Sequence, residues 1–191
     1  MATLSEPVAE RDHLRGQDNA PVILVEYGDY ECPYSGQAHD VVSQIEEDLA
    51  GTVSFVYRNF PLTQIRPHAL PAALAAEAAA RQGRFWEMHD ILFQQQERLE
   101  SEYLIAFAQV LGLDLERFII DMTSDDATAR VREDFVGGIK SGVDGTPTFY
   151  INGIRHDGPY DYETLKAAIE KAAEQRPHSG RKTKAGVSRE R

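Results

Sequence analysis

Residues 22–35 read VILVEYGDYECPYS and contain the change of pattern that decides the fold. The apolar run from Val22 to Tyr27 is rich in β-branched residues and predicts a strand buried on both faces, with one acid, Glu26, inside it. Gly28 then turns the chain, and Pro33 stands where a first helical residue would, ahead of apolar residues at helical spacing. The sequence therefore predicts a strand that leads into a helix, with Cys32 at their junction.

The rest of the chain predicts a sheet interrupted by a block of helices. A second β-patterned run at 53–58 completes a βαβ unit, and from His68 to Gly142 every apolar pattern is helical. The β pattern returns in a hairpin around Asn152-Gly153 and is followed by a last helix. We predict an α/β fold with a mixed four-stranded sheet, divided into an N-terminal arm (1–19), a βαβ half (20–67), a helical insertion (68–142), a ββα half (143–175) and a disordered basic tail (176–191).

Composition excludes several classes of function. The 191 residues carry 20 Lys plus Arg against 31 Asp plus Glu, a net charge of −11, which argues against a nucleic-acid-binding face. No uninterrupted apolar run is long enough to span a bilayer, so we expect no membrane insertion. The first ten residues have neither a basic nor an apolar signal region, so we expect a cytoplasmic protein.

Cys32 is the one cysteine in the chain. A single thiol excludes an intramolecular disulfide and cysteine-clustered zinc or iron–sulfur sites, and the histidine spacing predicts no metal site either. At the start of a helix, unpaired backbone N–H groups and the helix dipole favour the thiolate. Cys32 is therefore a candidate nucleophile; the alternative is a small buried apolar residue.

Ser35 lies three positions after Cys32, where the helix returns to the sulfur. A second thiol there would resolve mixed disulfides within the chain, which a serine cannot do, although its hydroxyl can hydrogen-bond the thiolate. Any disulfide at Cys32 must then be cleared by an external thiol, and glutathione is the abundant cytosolic candidate.

The sequence supports more modest predictions for four further residues. The acids Asp29 and Glu31 oppose formation of the thiolate by their charge. His39, about two turns into the helix of Cys32, could tune the site, but it is expected on the solvated face of that helix. His89 lies on an apolar stripe and is expected to be a satisfied core histidine rather than a ligand.

Three separated motifs carry a resemblance to a known family. They are VEYGDYECPYS at 25–35, FWEMHD at 85–90 and GVDGTPTFYING at 142–153. With them the chain resembles the DsbA-like branch of the thioredoxin superfamily, and it is similar to the thioredoxin-like domain fused to some bacterial sodium/proton antiporters. The resemblance implies a thioredoxin fold with an inserted all-helical subdomain.

The resemblance also implies the site residues. Cys32 would be the nucleophile, and Glu26 the acid beneath it that moves protons. A strand carboxylate inside an apolar run independently fits a raised pKa, but an edge acid facing solvent fits the sequence equally well. The residues expected to bind substrate are Pro33, Tyr34, Thr146 and Pro147, the last as a cis-proline whose neighbour Thr146 offers its backbone to an extended peptide or to glutathione.

The chain departs from the family pattern at Ser35, where oxidases and isomerases usually have a second cysteine. The leading hypothesis is a cytoplasmic monothiol oxidoreductase that acts on protein or small-molecule disulfides with glutathione as co-substrate and with no tightly bound cofactor. The alternatives are a redox-inactive binding or chaperone module of the same fold, and a glutathione-dependent isomerase or transferase. The sequence does not indicate the physiological substrate or the oligomeric state.

Overall fold

A computed structural model of the chain describes residues 2–175. The strands are β1 (His13–Arg15), β2 (Val22–Gly28), β3 (Val53–Asn59), β4 (Thr148–Ile151) and β5 (Ile154–Arg155). The helices are α1 (Pro33–Asp48), α2 (Ala69–Ala80), α3 (Phe85–Gln94), α4 (Ser101–Val110), α5 (Leu115–Met122), α6 (Asp125–Ser141) and α7 (Tyr162–Glu174). The predicted tail at 176–191 lies outside the described residues.

The five strands form one mixed sheet in the order β1-β3-β2-β4-β5. The central strand β2 runs parallel to β3 and antiparallel to β4, and it is buried on both faces as its apolar run predicts. The sheet has one strand more than predicted, because His13–Arg15 of the arm pairs antiparallel with β3. Such a short polar strand has no apolar alternation by which its sequence could reveal it.

Capping residues account for both ends of α6 and for the start of α7. Ser124 and Asp161 cap α6 and α7 by accepting the backbone N–H of Ala127 and of Thr164. Gly142 ends α6 in the left-handed conformation, with φ of 88°. Asn152 and Gly153 both have positive φ, as the hairpin turn between β4 and β5 requires.

Two apolar clusters cover the two faces of the sheet. The larger one joins the sheet to α1, α7 and the helices of the insertion; the smaller one packs Tyr27 and Val56 with residues of the arm and with Phe135 of α6. The sheet is thus a rigid support for the end of β2, where Cys32 follows. None of the helices between residues 2 and 175 has the length and apolar character needed to cross a bilayer.

Candidate active site

Cys32 precedes helix α1 and is its N-cap. Its backbone is extended, with φ −85° and ψ 117°, and Pro33 opens the helix. Only 1% of the residue's surface is exposed, and the Sγ–H donates to the carbonyl oxygen of Thr146 at 3.2 Å. The Thr146–Pro147 peptide bond is cis and leads into β4. The fold therefore brings the predicted thiol and the predicted substrate-binding segment into contact, although 114 residues separate them.

Ser35 is fully buried in the first turn of α1. Its hydroxyl accepts the backbone N–H of Asp29 at 3.4 Å, so its hydrogen bond in this structure goes to the turn before Cys32 rather than to the sulfur. Ser35 thus supports the loop that carries the thiol. The expected hydrogen bond from Ser35 to the thiolate remains a prediction.

Glu26 is buried in the middle of β2 with 1% of its surface exposed, which settles where its side chain lies. Burial raises the pKa of this carboxyl to about 8, so it is largely protonated at neutral pH. Its neighbour across the parallel pair is Tyr57 of β3. Neither Glu26 Oε1 nor the Tyr57 hydroxyl has a hydrogen-bond partner among the described residues.

Gly28 makes room for this pair of polar atoms. A Cβ at position 28 would lie 2.9 Å from Glu26 Oε1 and 2.9 Å from the Tyr57 hydroxyl, so both atoms sit above the glycine. The pKa of Tyr57 is raised well above its usual value by burial first, and then by the charges of Tyr30, Glu26, Asp29 and Cys32. Tyr57 therefore shares the buried site of Glu26, a neighbour that sequence analysis missed.

The two acids beside Cys32 are both held by partners from the loop after β3. Asp29 Oδ2 accepts the Leu62 N–H at 3.0 Å and pairs with the Arg66 guanidinium at 3.3 Å. Glu31 accepts the backbone N–H of His68 at 2.7 Å and lies 3.0 Å from its Nδ1. These hydrogen bonds fix the orientation of both carboxylates, and the positive charge of Arg66 offsets the negative charge of Asp29.

Gln96, in the turn after α3, reaches the same loop from the helical insertion. Its Nε2 donates to the carbonyl oxygens of Tyr30, at 2.7 Å, and Cys32, at 2.9 Å. Sequence analysis missed this residue, since Gln96 is the third of three consecutive glutamines and nothing local distinguishes it.

The expectation that His39 is solvated was wrong. His39 is 8% exposed, because α3 packs over it, and its Nε2 lies 3.0 Å from Asp90 Oδ1. His89 is buried as expected, with Nδ1 3.1 Å from the Tyr30 hydroxyl. Ligand atoms of His39, His89 and Asp90 lie within 4.8 Å of one another, but the guanidinium of Arg15 is 3.1 Å from Asp90 and repels a cation there. We assign this cluster to the packing of α1 on α3.

The surface around the thiol carries aromatic and apolar residues. Tyr34 is 60% exposed, and the pKa of Tyr160 is raised by its partial burial and by the charges of Cys32 and Tyr34. A cavity of about 300 Å³ opens beside the segment that precedes Thr146; its apolar lining includes Phe60, Leu62, Ile65, Phe135, Ile139 and Val143. The lining reaches Asp144, two residues before Thr146, and does not include Cys32.

The described geometry agrees with comparisons to known proteins. The sequence model of the family described as Thioredoxin matches residues 8–171. The chain belongs to the thioredoxin family. Within it, the DsbA-like resemblance of the sequence is confirmed by solved structures of the same architecture.

Two of these structures have sequence identity above a quarter. This thioredoxin is similar to BdbD from Bacillus subtilis in its oxidised form, with a TM-score of 0.81 and 27% identity over 91% of this chain and 98% of that one. It is also similar to a thioredoxin-like oxidoreductase from Silicibacter pomeroyi, with a TM-score of 0.78 and 28% identity over 87% and 94%. Wolbachia pipientis alpha-DsbA1, at 21% identity and a TM-score of 0.77, shares the fold.

Curated relatives of this thioredoxin are longer proteins. The chain is 47% identical over 175 residues to Na(+)/H(+) antiporter NhaA 3 from Salinispora tropica, and 42% identical over 168 residues to Na(+)/H(+) antiporter NhaA from Herminiimonas arsenicoxydans. The alignments cover 90% and 87% of this chain but only 27% of each antiporter. The chain therefore spans about a quarter of the length of the curated relatives it matches.

Proposed function

We propose that this thioredoxin is a monothiol oxidoreductase that reduces mixed disulfides through Cys32, with glutathione as the resolving thiol. The observation that carries the proposal is the contact of the N-cap thiol with the Thr146 carbonyl. The strand that leads to the thiol also buries a carboxyl, that of Glu26. The chain has no second cysteine, so the mixed disulfide on Cys32 must be released by a thiol from outside.

The reaction has two balanced exchanges. The Cys32 thiol gives up its proton, and the sulfur attacks the glutathionyl sulfur of a substrate R–S–S–G; the S–S bond breaks, and R–S⁻ leaves and takes up a proton. A second glutathione thiolate then attacks the glutathionyl sulfur on Cys32, which releases oxidised glutathione and the Cys32 thiolate. The net reaction converts R–S–S–G and one reduced glutathione into R–SH and oxidised glutathione. The proton of that glutathione returns to the Cys32 sulfur, so the protein is unchanged.

The neighbouring residues have defined tasks in this scheme. The Sγ–H bond to the Thr146 carbonyl suits the resting thiol, and deprotonation removes its donor and frees the sulfur to attack. Thr146 and Pro147 then offer backbone to the incoming substrate, with Pro33 and Tyr34 on the other side of the thiol. Glu26, protonated at neutral pH because its pKa is about 8, exchanges protons during the two steps.

A cytoplasmic location belongs to the same proposal. The second exchange needs a pool of reduced low-molecular-weight thiol, which cytosol maintains and oxidising compartments do not. A protein with one cysteine gains nothing from an oxidising compartment for its own folding, since it has no partner thiol to pair with.

The test uses a peptide whose cysteine is joined to glutathione. With reduced glutathione present, we expect the protein to accelerate release of the peptide thiol, measured by coupling oxidised glutathione to glutathione reductase and NADPH. Cys32→Ser should abolish the acceleration, and its retention would refute the proposal. Ser35→Cys supplies the missing second thiol, so this variant should also reduce peptide disulfides that contain no glutathione.

A second candidate function is a binding module without redox turnover, and the curated relatives favour it. They are named Na(+)/H(+) antiporters, and this chain matches about a quarter of each. We propose as the alternative that the chain docks on an antiporter. The test measures binding of the chain to the unmatched part of the Salinispora tropica antiporter in detergent. Two results together would favour this alternative: binding that is unchanged in Cys32→Ser, and no turnover in the glutathione assay above.

A further inference from the structure

Gln96 contacts the loop that carries Cys32 from outside the thioredoxin core. It lies between α3 and α4 of the helical insertion, and its Nε2 donates to both the Tyr30 and the Cys32 carbonyls. These two carbonyls flank the residue that immediately precedes the thiol. A single side-chain amide of the insertion thus hydrogen-bonds to the backbone on both sides of Glu31.

The two hydrogen bonds from Gln96 hold the backbone of Cys32, the residue that carries the thiol. Cys32 makes no side-chain cap hydrogen bond to its helix, so its own backbone and the bond of its Sγ to the Thr146 carbonyl are what orient the thiol. Its carbonyl already accepts the N–H of Gly36 at 3.0 Å, the first hydrogen bond of α1, and Gln96 adds a second donor on the same oxygen. With both donors present, the thiol is held against the Thr146 carbonyl and the positive end of the helix.

Gly36 shows that the helix is built around this amide. A Cβ at position 36 would lie 2.1 Å from Gln96 Oε1 and 2.7 Å from its Cδ, so the end of the Gln96 side chain would have to move to admit it. Glycine is less favourable than alanine inside a helix, so this position gives up helix propensity to admit Gln96. The amide of Gln96 therefore packs against Gly36 in the space that a side chain would fill at that position.

We infer that Gln96 is a positioning residue for the thiol, through which the helical insertion sets the rate at which Cys32 reacts. Its consequence for turnover rests on the proposed function, but reactivity of the thiol can be measured without any turnover. If the glutathione assay fails while the effect below is found, the inference stands and the proposed function does not.

The experiment measures the rate of Cys32 alkylation by iodoacetamide across a range of pH. Loss of two hydrogen bonds in Gln96→Ala should slow alkylation at pH 7 about threefold to tenfold and move the pH profile upward. Gln96→Glu keeps the shape but directs negative oxygens at two carbonyls, so it should be slower still. Gln94→Ala, an exposed glutamine two positions earlier, is the matched control and should match the wild type.

Gly36→Ala separates positioning from loss of folding. The methyl group expels the Gln96 amide while it raises helix propensity, so alkylation should slow without loss of thermal stability. In the Gln96→Ala background the same change should add little, because the amide is already absent. Wild-type alkylation in folded Gln96→Ala, or additive effects in the double variant, would overturn the inference.

Discussion

The buried carboxyl of Glu26 makes the stability of the protein depend on pH. Its pKa rises from 4.5 to about 8 in the folded chain because burial disfavours the charged form. The folded state therefore keeps a proton that the unfolded state loses. This contribution to stability is complete below pH 4.5 and is lost as the pH rises through 8.

Glu26→Gln tests this linkage. Relative to the variant, the wild-type free energy of unfolding should fall by about 1 kcal/mol per pH unit between pH 5 and 8. Urea denaturation at four pH values across that window measures the difference. Glu170→Gln, which changes an exposed acid on α7, is the control and should run parallel to the wild type. Parallel curves for the Glu26 variant and the wild type would contradict a protonated, buried Glu26.

Single residues also show where sequence analysis succeeds. Cys32 was predicted at a helix start because Pro33 and the change of apolar period are local signals. Tyr57, Gly28 and Gln96 carry no such signal, since each gains its role only from atoms that the fold brings from another element. The position of the thiol is therefore predictable from sequence, whereas the residues that contact its loop and its neighbouring strand are not.

At the scale of elements, strand β1 and the arm before it are fixed by Arg58 of β3. The Arg58 guanidinium forms two hydrogen bonds of 2.9 Å with Asp12 and also donates to the backbone carbonyls of Glu6 and Pro7. The side chains of this ion pair are 3% and 1% exposed. The arm therefore packs on β3 at one edge of the sheet through a buried ion pair.

Asp12→Ala should consequently be costly. It leaves the Arg58 charge buried and unpaired, so we expect a loss of about 3–5 kcal/mol in the free energy of unfolding. Glu87→Ala removes an ion pair with Arg84 whose side chains are 43% and 50% exposed, and it should cost less than about 1 kcal/mol. Urea denaturation of the two variants at pH 7 gives the comparison. A loss for Asp12→Ala as small as that of the control would show that water reaches Arg58.

Across the whole molecule, a buried polar junction joins the helical insertion to the sheet. Glu77 of α2 accepts from Asn59 at the end of β3, at 2.8 Å, and pairs with His13 of β1 at 3.0 Å. Asp134 of α6 accepts the Asn59 backbone N–H at 3.0 Å, and burial raises the pKa of this acid to about 6. Helices of the insertion thus meet the end of β3 through Glu77 and Asp134, which lie 18 and 75 residues after Asn59 in the chain.

This junction explains why the order of elements was predictable but their joining was not. Periodicity identified the helical block from 68 to 142 and the strands on either side, because each pattern is repeated over many residues. Polar contacts such as that of Glu77 with Asn59 depend on single residues inside otherwise ordinary stretches. They join the sheet and the insertion through buried hydrogen bonds.

Glu77→Ala should weaken the contact between the helical insertion and the sheet. The change leaves His13 and Asn59 without their buried partner, so we expect a loss of about 3 kcal/mol in the free energy of unfolding. Trp86, the single tryptophan, packs against Phe55 of β3 and reports on the same contact from α3. In the wild type, urea transitions followed by Trp86 fluorescence and by circular dichroism at 222 nm should coincide. In Glu77→Ala the fluorescence transition should come first, whereas coincident transitions at an unchanged midpoint would mean that the apolar core alone holds the insertion in place.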